Sequence, residues 1–528
     1  MNLKQVNFTE IFDSQCRIPI DYKEWSPHDY ESKCLLGSTQ IFLRRMPSRK
    51  CFNGNEFSRP VYQINCPCKH SDYECDSGYV LVKKSPVFHC GLKHESWLQS
   101  LNYSNCSPGQ MFNKTKGYRK IPGDTCEGGE EDWYSPHLLP CPFNTTLVPE
   151  FILFIQRQEI SIIPLNDYEF TKLTLLPKSF LTNAIAADFD YKNSCLYWSD
   201  IHSNRILRYC FDGEQLQPET LVEIGLDSVE GIAFNQINGH LYFVNGNKSK
   251  VELINTRINY EGRMRRTILS DPNIKKPRGI AIDPIECFLF ITDWSLTSAI
   301  IRSDLDGKNV RVLFNSNVVK WPNGIAVDHQ AKRIYWVDAK HDYIANSLYD
   351  GTDFRYLIRG EQAPHPFALG VFKDMVFYDD WVLHKLILVS KHNSTVRKTI
   401  LEGVSSAMDL KIVTSQFSNE TNVCNLNGTC SHLCIATPFN TYRCLCPDGY
   451  IITQTPDGNE KCSCPYDRIL TATGACRSSS PNATCASNEF QCDNGNCISR
   501  YWKCDEDDDC NDGQTPTFDL DIFVNCKR

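Results

Sequence analysis

Nowhere in these 528 residues do eighteen apolar residues run together, so no segment reads as a membrane-spanning helix. The opening residues, MNLKQVNF, lack the charged start and apolar stretch of a secretory signal. A basic excess is missing too. Lys and Arg number 55 against 63 Asp and Glu, a net charge of −8, which argues against a nucleic-acid partner. No HExxH zinc motif is present (His94 opens HESWL, without the second histidine), and there is no GxSxG elbow or phosphate loop. Gly 28 and Pro 27 are too few for collagen, and 41% apolar residues are too many for a disordered polymer. The length is that of about three to four domains, and nothing in it reads as an enzyme.

Cysteine is what the chain has in quantity, and it is unevenly placed. Of 27 cysteines, ten lie in residues 16–141, three in 151–413 and fourteen in 424–526. Even-numbered clusters imply disulfide frameworks and an oxidising, extracellular or lumenal compartment. The Cys-x-Cys pairs at Cys66, Cys444 and Cys462 therefore read as cystines, not zinc ligands. Glycosylation acceptors agree: Asn-x-Ser/Thr occurs at Asn7, Asn102, Asn105, Asn113, Asn144, Asn247, Asn393, Asn419, Asn427 and Asn482. Chance supplies a few of these, so the cysteine argument is the stronger. A lumenal chain without an entry signal is expected to be a fragment or incomplete product, missing residues at both ends.

The cysteine-poor middle holds a repeat. LFIQ at Leu153, YWSD at Tyr197, YFVN at Tyr242, FITD at Phe290, YWVD at Tyr335 and FYDD at Phe377 are spaced by 44, 45, 48, 45 and 42 residues. Eleven residues before the last five lie AADFD, GIAFN, GIAID, GIAVD and PFALG. A third piece ends in turns at Asp212-Gly213, Asp306-Gly307 and Asp350-Gly351. Short runs of Ile, Val, Tyr and Trp cut by Asp-Gly turns predict antiparallel strands. Four strands per roughly 45 residues is the unit of a β-propeller blade. The first repeat lacks its GIA-type segment, while an orphan copy, AMDLKIV, sits at Ala407–Val413. That predicts a ring of six blades closed by its C-terminal strand, which removes an open sheet edge. Cys195 and Cys210 flank a bend between adjacent strands and can pair across a hairpin, leaving Cys287 as the odd, buried residue. Tyr197, Trp198, Tyr335 and Trp336 read as packing between blades, and Asp200, Asp293 and Asp338 as ties to neighbouring backbone.

The repeat resembles the YWTD propeller of the low-density-lipoprotein receptor family, with six copies on one spacing. Downstream, CSHLC, CLC and CPDGY resemble an EGF-like module, which implies Cys424–Cys434, Cys430–Cys444 and Cys446–Cys462, with Cys464 and Cys476 as a spare pair. FQCDNGNCISRYWKCDEDDDCNDG resembles a class A module of the same receptor family, implying Cys485–Cys497, Cys492–Cys510 and Cys504–Cys526. Upstream, RKCFNG at Arg49, CPCKHSDYECDSGY at Cys66 and GYRKIPGDTCEGG at Gly117 resemble the ten-cysteine region that ends the sorting domain of the sortilin family. That family carries a large propeller of its own before this region, and VNFTEIF at Val6 would be its last strand. The expected architecture is all-β. Residues 1–145 form the sortilin-type region, 146–413 the six-bladed YWTD propeller, 420–478 the EGF-like module and 482–528 a class A module with an atypical end.

The class A resemblance implies one Ca²⁺ held by two carbonyls and four carboxylates, a hard-oxygen set. Asp505 and Asp509 match two of the carboxylates, and Trp502 and Asp507 the carbonyls. The family's last two acids are replaced by Thr515 and Pro516, so either calcium binding is weakened or residues 514–528 are not native to the module. Trp502, Asp505, Asp507 and Asp509 also match a cage in which an indole face and acids embrace a ligand lysine. Residues 485–510 carry seven acids and two bases, which suits such a ligand. Histidines at His202, His240, His329, His341, His365 and His384 raise the reading of acid-triggered ligand release, against the plainer one of ordinary surface or core histidines. Together the parts resemble the ectodomain of a sorting receptor that carries protein or lipoprotein cargo with exposed basic residues between cell surface, endosomes and Golgi. Its membrane attachment would be a segment outside this sequence. The alternative is a secreted basement-membrane adhesion protein, since those also join YWTD propellers to EGF modules.

Overall fold

The computed structural model describes residues 14–26, 34–53, 62–84, 87–93, 106–143 and, with short breaks, 145–499. Contacts divide the chain into two units, one of residues 1–107 and 111–141, the other of 108–110 and 142–528. The first unit is built from small antiparallel pieces. Tyr22–Trp25, Ser38–Arg45 and Tyr62–Asn65 form a three-stranded sheet, and Tyr73–Cys75 pairs with Tyr118–Lys120. Its buried clusters are minute: Cys16, Tyr22 and Cys51 in one, Cys68, Tyr73 and Cys126 in another. Apolar burial of that size cannot offset chain entropy, so cystines carry the stability. They join Cys16–Cys51, Cys34–Cys66, Cys68–Cys126, Cys75–Cys90 and Cys106–Cys141. Tyr134 stacks on Tyr73 at 4.5 Å and meets Tyr118 edge-on at 5.0 Å, closing the second cluster.

The second unit contains six four-stranded antiparallel sheets. Their innermost strands are Ala184–Asp190, Gly231–Asn235, Pro277–Asp283, Pro322–Asp328, Pro366–Phe372 and Ala407–Val413. Each touches the next, and the last touches the first, so the contacts run in a cycle. Ala407–Val413 does not belong to the sheet before it. It pairs antiparallel with Phe151–Gln156, Phe151 facing Val413 and Phe154 facing Leu410. Thus the strand farthest along the ring supplies the inner edge of the first sheet.

The repeated motifs acquire physical reasons here. Tyr197, Trp198 and Trp336 are almost wholly buried, and Tyr335 nearly so, filling space between neighbouring sheets. The glycine of GIA is there for clearance. A Cβ on Gly279 would lie 2.4 Å from the Asn323 carbonyl of the next innermost strand, and one on Gly231 2.3 Å from that of Arg278. Only hydrogen at this position lets the strands approach so closely at the axis. Where a GIA segment ends in an acid, that acid pins the following turn: Asp190 accepts from the N–H of Lys192 and Asn193, and Asp283 from those of Ile285 and Glu286.

Within the ring a disulfide joins Cys195 to Cys210, which face each other on adjacent strands. Cys287 is free and buried; burial, reinforced by Asp283, Asp304 and Glu286, pushes its thiol up to about 12. The thiolate is the reactive form. Iodoacetamide at neutral pH is therefore expected to leave native Cys287 unmodified and to label it after denaturation, as read by peptide mass. Rapid labelling of folded protein would contradict this placement.

The EGF-like segment is stapled by Cys424–Cys434, Cys430–Cys444 and Cys446–Cys462. It docks on the ring. Val423, Leu433, Ile435 and Leu445 share a core with Leu269 and Leu305. Arg443 bonds the buried Asp306 at 2.7 Å, and Asp448 accepts from the Thr267 N–H at 2.9 Å. Cys464 is disulfide-bonded. Beyond it only short backbone ribbons are described, Arg468–Leu470 with Cys476–Ser478 and Glu489–Gln491 with Cys497–Ser499. Among the described residues no helix is long and apolar enough to cross a membrane.

Candidate ligand-binding face of the propeller

One face of the ring collects the loops between the second and third strand of each sheet, together with the connections between sheets. Buried carboxylates fix these loops. Asp338 accepts four backbone N–H groups: Lys320 at 2.5 Å, Trp321 at 3.3 Å, and Lys340 and His341 at 3.0 Å each. Asp293 binds those of Lys275, Lys276 and Ser295, and Asp380 those of His365, Val382 and Leu383. Burial pushes Asp200 up, but N–H groups of Asn183, Ser203 and Thr182 and the Thr182 hydroxyl outweigh it and hold the carboxyl at about 2. These acids are structural ties, as the sequence led us to expect.

At the centre of this face is a cavity of about 140 Å³ lined by Arg157, Glu230, Arg278, Asn323, Phe367 and Trp381. Arg278 is its hub. Its guanidinium pairs with Glu230 at 2.7 Å, donates to Asn323 Oδ1 at 2.8 Å, and lies over both Trp294 at 4.7 Å and Phe367 at 4.9 Å. Lys276 covers Trp294 at 4.1 Å. Phe367 stacks on Trp381 at 4.1 Å, and His365 on Trp381 at 5.7 Å. Lys276, Trp294, Arg278 and Phe367 thus alternate cation and ring beside the axis, and the ladder continues ring on ring through Trp381 to His365. Nearby Trp321 is 44% exposed under Lys340, and Leu296 is 94% exposed. Trp, Arg and aromatic side chains held rigidly around a concave centre are the composition of binding hot spots. Sequence reading missed this set. Its signal was a Trp directly after the motif acid, in FITDW and FYDDW.

The opposite opening is larger, about 380 Å³, and Ile280, Ile325, Leu369 and Lys411 line both cavities. Lys391 pairs with Asp328 at 2.5 Å there. His329 Nδ1 lies 3.3 Å from Asp283 Oδ2 without hydrogen-bond alignment, and Phe417 meets the His329 ring edge-on at 4.7 Å. Asp188 is pushed up to about 6 by burial, against the attraction of Lys411.

The remaining candidates fall out as follows. His240 is buried and burial drives it down to about 4, so it stays neutral from neutral pH to pH 5.5 and cannot serve as a release trigger. His341 lies 4.0 Å from Asp338. His202 and His384 stand in the loops that Asp200 and Asp380 tie, and approach no carboxylate side chain among the ion pairs of the described residues. Asn113, Asn247, Asn393 and Asn419 are exposed, as glycan acceptors must be; Asn7, Asn102, Asn105, Asn144 and Asn482 lie outside the described residues, as does the Asn427 side chain. Trp502, Asp505, Asp507, Asp509 and the class A cystines other than Cys497 also lie outside them, and Cys497 is described only as strand backbone. Cys476 is likewise described only as backbone.

Family comparisons follow the same order along the chain. "Sortilin, neurotensin receptor 3, C-terminal" matches residues 1–141, "Low-density lipoprotein receptor repeat class B" 288–329, "EGF-like domain" 424–451 and "Low-density lipoprotein receptor domain class A" 483–514. Sortilin-related receptors of Oryctolagus cuniculus, Mus musculus and Homo sapiens are 35%, 37% and 35% identical to it, each over 99% of this chain. The chain is a homologue of the sortilin-related receptor. It spans 23% of those relatives' length. It is an all-β array of a sortilin-type region, a ring of sheets carrying the class B repeat, and cystine-rich modules. The class A match stops at Gln514, where the sequence departs from the calcium-module pattern. A solved structure, "Crystal structure of Nidogen/Laminin Complex", aligns over 51% of this chain and 99% of its own at 25% identity, with a TM-score of 0.45.

Proposed function

We propose that this chain is the ligand-binding lumenal part of a SorLA-like endocytic and intracellular sorting receptor, acting by binding and not by catalysis. The observation that carries the reading is the end-to-end identity of 35–37% with sortilin-related receptors. The match of residues 1–141 to a sortilin C-terminal region favours a receptor over a basement-membrane linker. Cargo is protein or lipoprotein taken between cell surface, endosomes and Golgi. Two surfaces would hold it. Trp502, Asp505, Asp507 and Asp509 form the lysine cage of the class A module, with Ca²⁺ holding Asp505 and Asp509 together. The aromatic–cation ladder around Arg278 offers a rigid second contact for apolar side chains beside acids. Two weak contacts on one chain gain affinity through linkage.

The test uses immobilised full chain and low-density lipoprotein as probe, in calcium at pH 7.4. Saturable binding is expected to fall at least about tenfold when the lipoprotein's lysines are acetylated, or when Asp505→Asn is introduced; Lys276→Glu with Trp294→Ala tests the propeller surface. Binding unchanged by acetylation and by both sets of substitutions would overturn the reading. Equal affinity at pH 7.4 and 5.5 would remove acid-triggered release from it.

A further inference from the structure

The third position of the repeated motif is of three kinds: apolar, hydroxyl and, once, acidic. In some sheets it is apolar, as in Val244 and Val337. In two it is a hydroxyl that clasps neighbouring sheets. Ser199 Oγ accepts the Ala186 N–H at 3.2 Å and donates to the Val229 carbonyl at 2.8 Å. Thr292 Oγ1 accepts the Gly279 N–H at 2.8 Å and donates to the Asn323 carbonyl of the next innermost strand at 2.8 Å. In each case the bonded N–H is freed by a register shift in the innermost strand.

The last sheet has the same shift between Pro366 and Leu369, and its third motif residue is Asp379. Asp379 Oδ1 accepts the Ala368 N–H at 2.7 Å, the equivalent contact. Its side chain is completely buried, and Oδ2 receives no hydrogen bond. A carboxylate there would leave a buried negative charge with one donor, far less favourable than a paired one. A neutral acid, however, has what Ser199 and Thr292 have: one acceptor and one donor. The charged groups around it discourage ionisation. Asp380 follows on its own strand, and Asp409 stands on the closing strand, where Lys411 lies 3.9 Å from it. Opposite Asp379 on the third strand is Leu386, which brings no charge.

We propose that Asp379 is a proton-binding site: it is held as a neutral carboxylic acid whose Oδ2 proton supplies, at the seam between the last sheet and the closing strand, the donor that the Ser199 and Thr292 hydroxyls supply between other sheets. Burial, helped by Asp380 and Asp409, keeps this carboxyl well above its usual range. The folded chain holds the proton over a pH range in which the unfolded chain has released it. Stability from this group is therefore complete below the ordinary carboxylate range and declines as pH rises toward the folded value. The seam is tightest in acid, the reverse of what ionised salt bridges produce.

The experiment compares full-length wild type with Asp379→Asn and Asp379→Thr by chemical denaturation from pH 5 to 8. Both variants supply a donor and an acceptor without titrating. Asp188 and Asp409 are present in all three proteins, so the difference isolates Asp379 together with its coupling to Asp409. The folding constant of wild type relative to Asp379→Asn is expected to fall as pH rises, by up to about tenfold per unit. Infrared difference spectra at the acid end of this range should show a protonated carboxylic acid that Asp379→Asn removes, a readout that survives if Asp379→Thr misfolds. A pH-independent ratio, or the absence of that carboxylic acid band in folded wild type, overturns the proposal.

Discussion

A chain ending at Val404 is expected to lose its cooperative unfolding transition, whereas one ending at Thr414 keeps it. The ten residues between them include the strand Ala407–Val413, whose Ala407, Met408, Leu410 and Val413 are buried in the main core cluster. Burying each of the three larger side chains contributes about 1.5–3 kcal/mol. Six residue pairs with Phe151–Gln156 are lost as well, along with the Trp381 Nε1 bond to the Ala407 carbonyl at 2.8 Å. The sum rivals the whole stability of an ordinary domain, about 5–15 kcal/mol. Both truncations remove the EGF-like module, so the contrast isolates the strand. Circular dichroism melts decide it, and a synthetic peptide of residues 405–414 should restore the transition in the shorter chain. Identical melts for the two truncations would show that the ring does not depend on closure.

The second large effect is expected at Asp338. Its carboxylate is fully buried and gathers four backbone N–H groups from two loops. Asp338→Ala leaves these donors without a partner, a loss of about 3–5 kcal/mol by urea denaturation. Asp338→Asn keeps one accepting oxygen and is expected to lose roughly half as much. A change under about 1 kcal/mol for Ala would mean that water replaces the tie without cost. Asp200 ties loops in the same way, and its own carboxyl gives a pH direction. Its carboxyl is lowered to about 2, so its contribution is present above the ordinary carboxylate value and fades as pH falls through 2. Mild acid near pH 5.5 leaves it intact. Asp379, one motif position earlier in a different sheet, runs the other way.

Much of this was legible because a repeat reports its own geometry. GIA spacing and YWTD-like segments placed the strands, since a glycine forced by clearance and an acid forced by loop N–H groups recur wherever the same backbone recurs. The orphan AMDLKIV was readable for the same reason: a strand pattern with no partner in its own neighbourhood must pair elsewhere. Cystine pairing in residues 16–141 was not legible, because ten cysteines with no periodic strands around them leave the partners to tertiary contacts. Nor was the ladder around Arg278. It draws Lys276, Arg278 and Trp294 from one sheet and Phe367 and Trp381 from another, and their meeting depends on the angle between sheets, which no local spacing encodes. His240 shows the converse: a histidine is visible in sequence, but its burial is not.

Phe151 and Val413, where the chain joins and leaves the ring, face each other across one ladder. Tension along the polypeptide would accordingly bypass five of the six sheets and bear on a single strand pair, in the geometry that peels bonds one after another. The docked EGF-like module, held by Arg443 to Asp306 and by Asp448 to Thr267, stands downstream of that pair and must be dragged off first. A chain pulled from both ends would thus have the strand pair that closes its ring shielded by its neighbour.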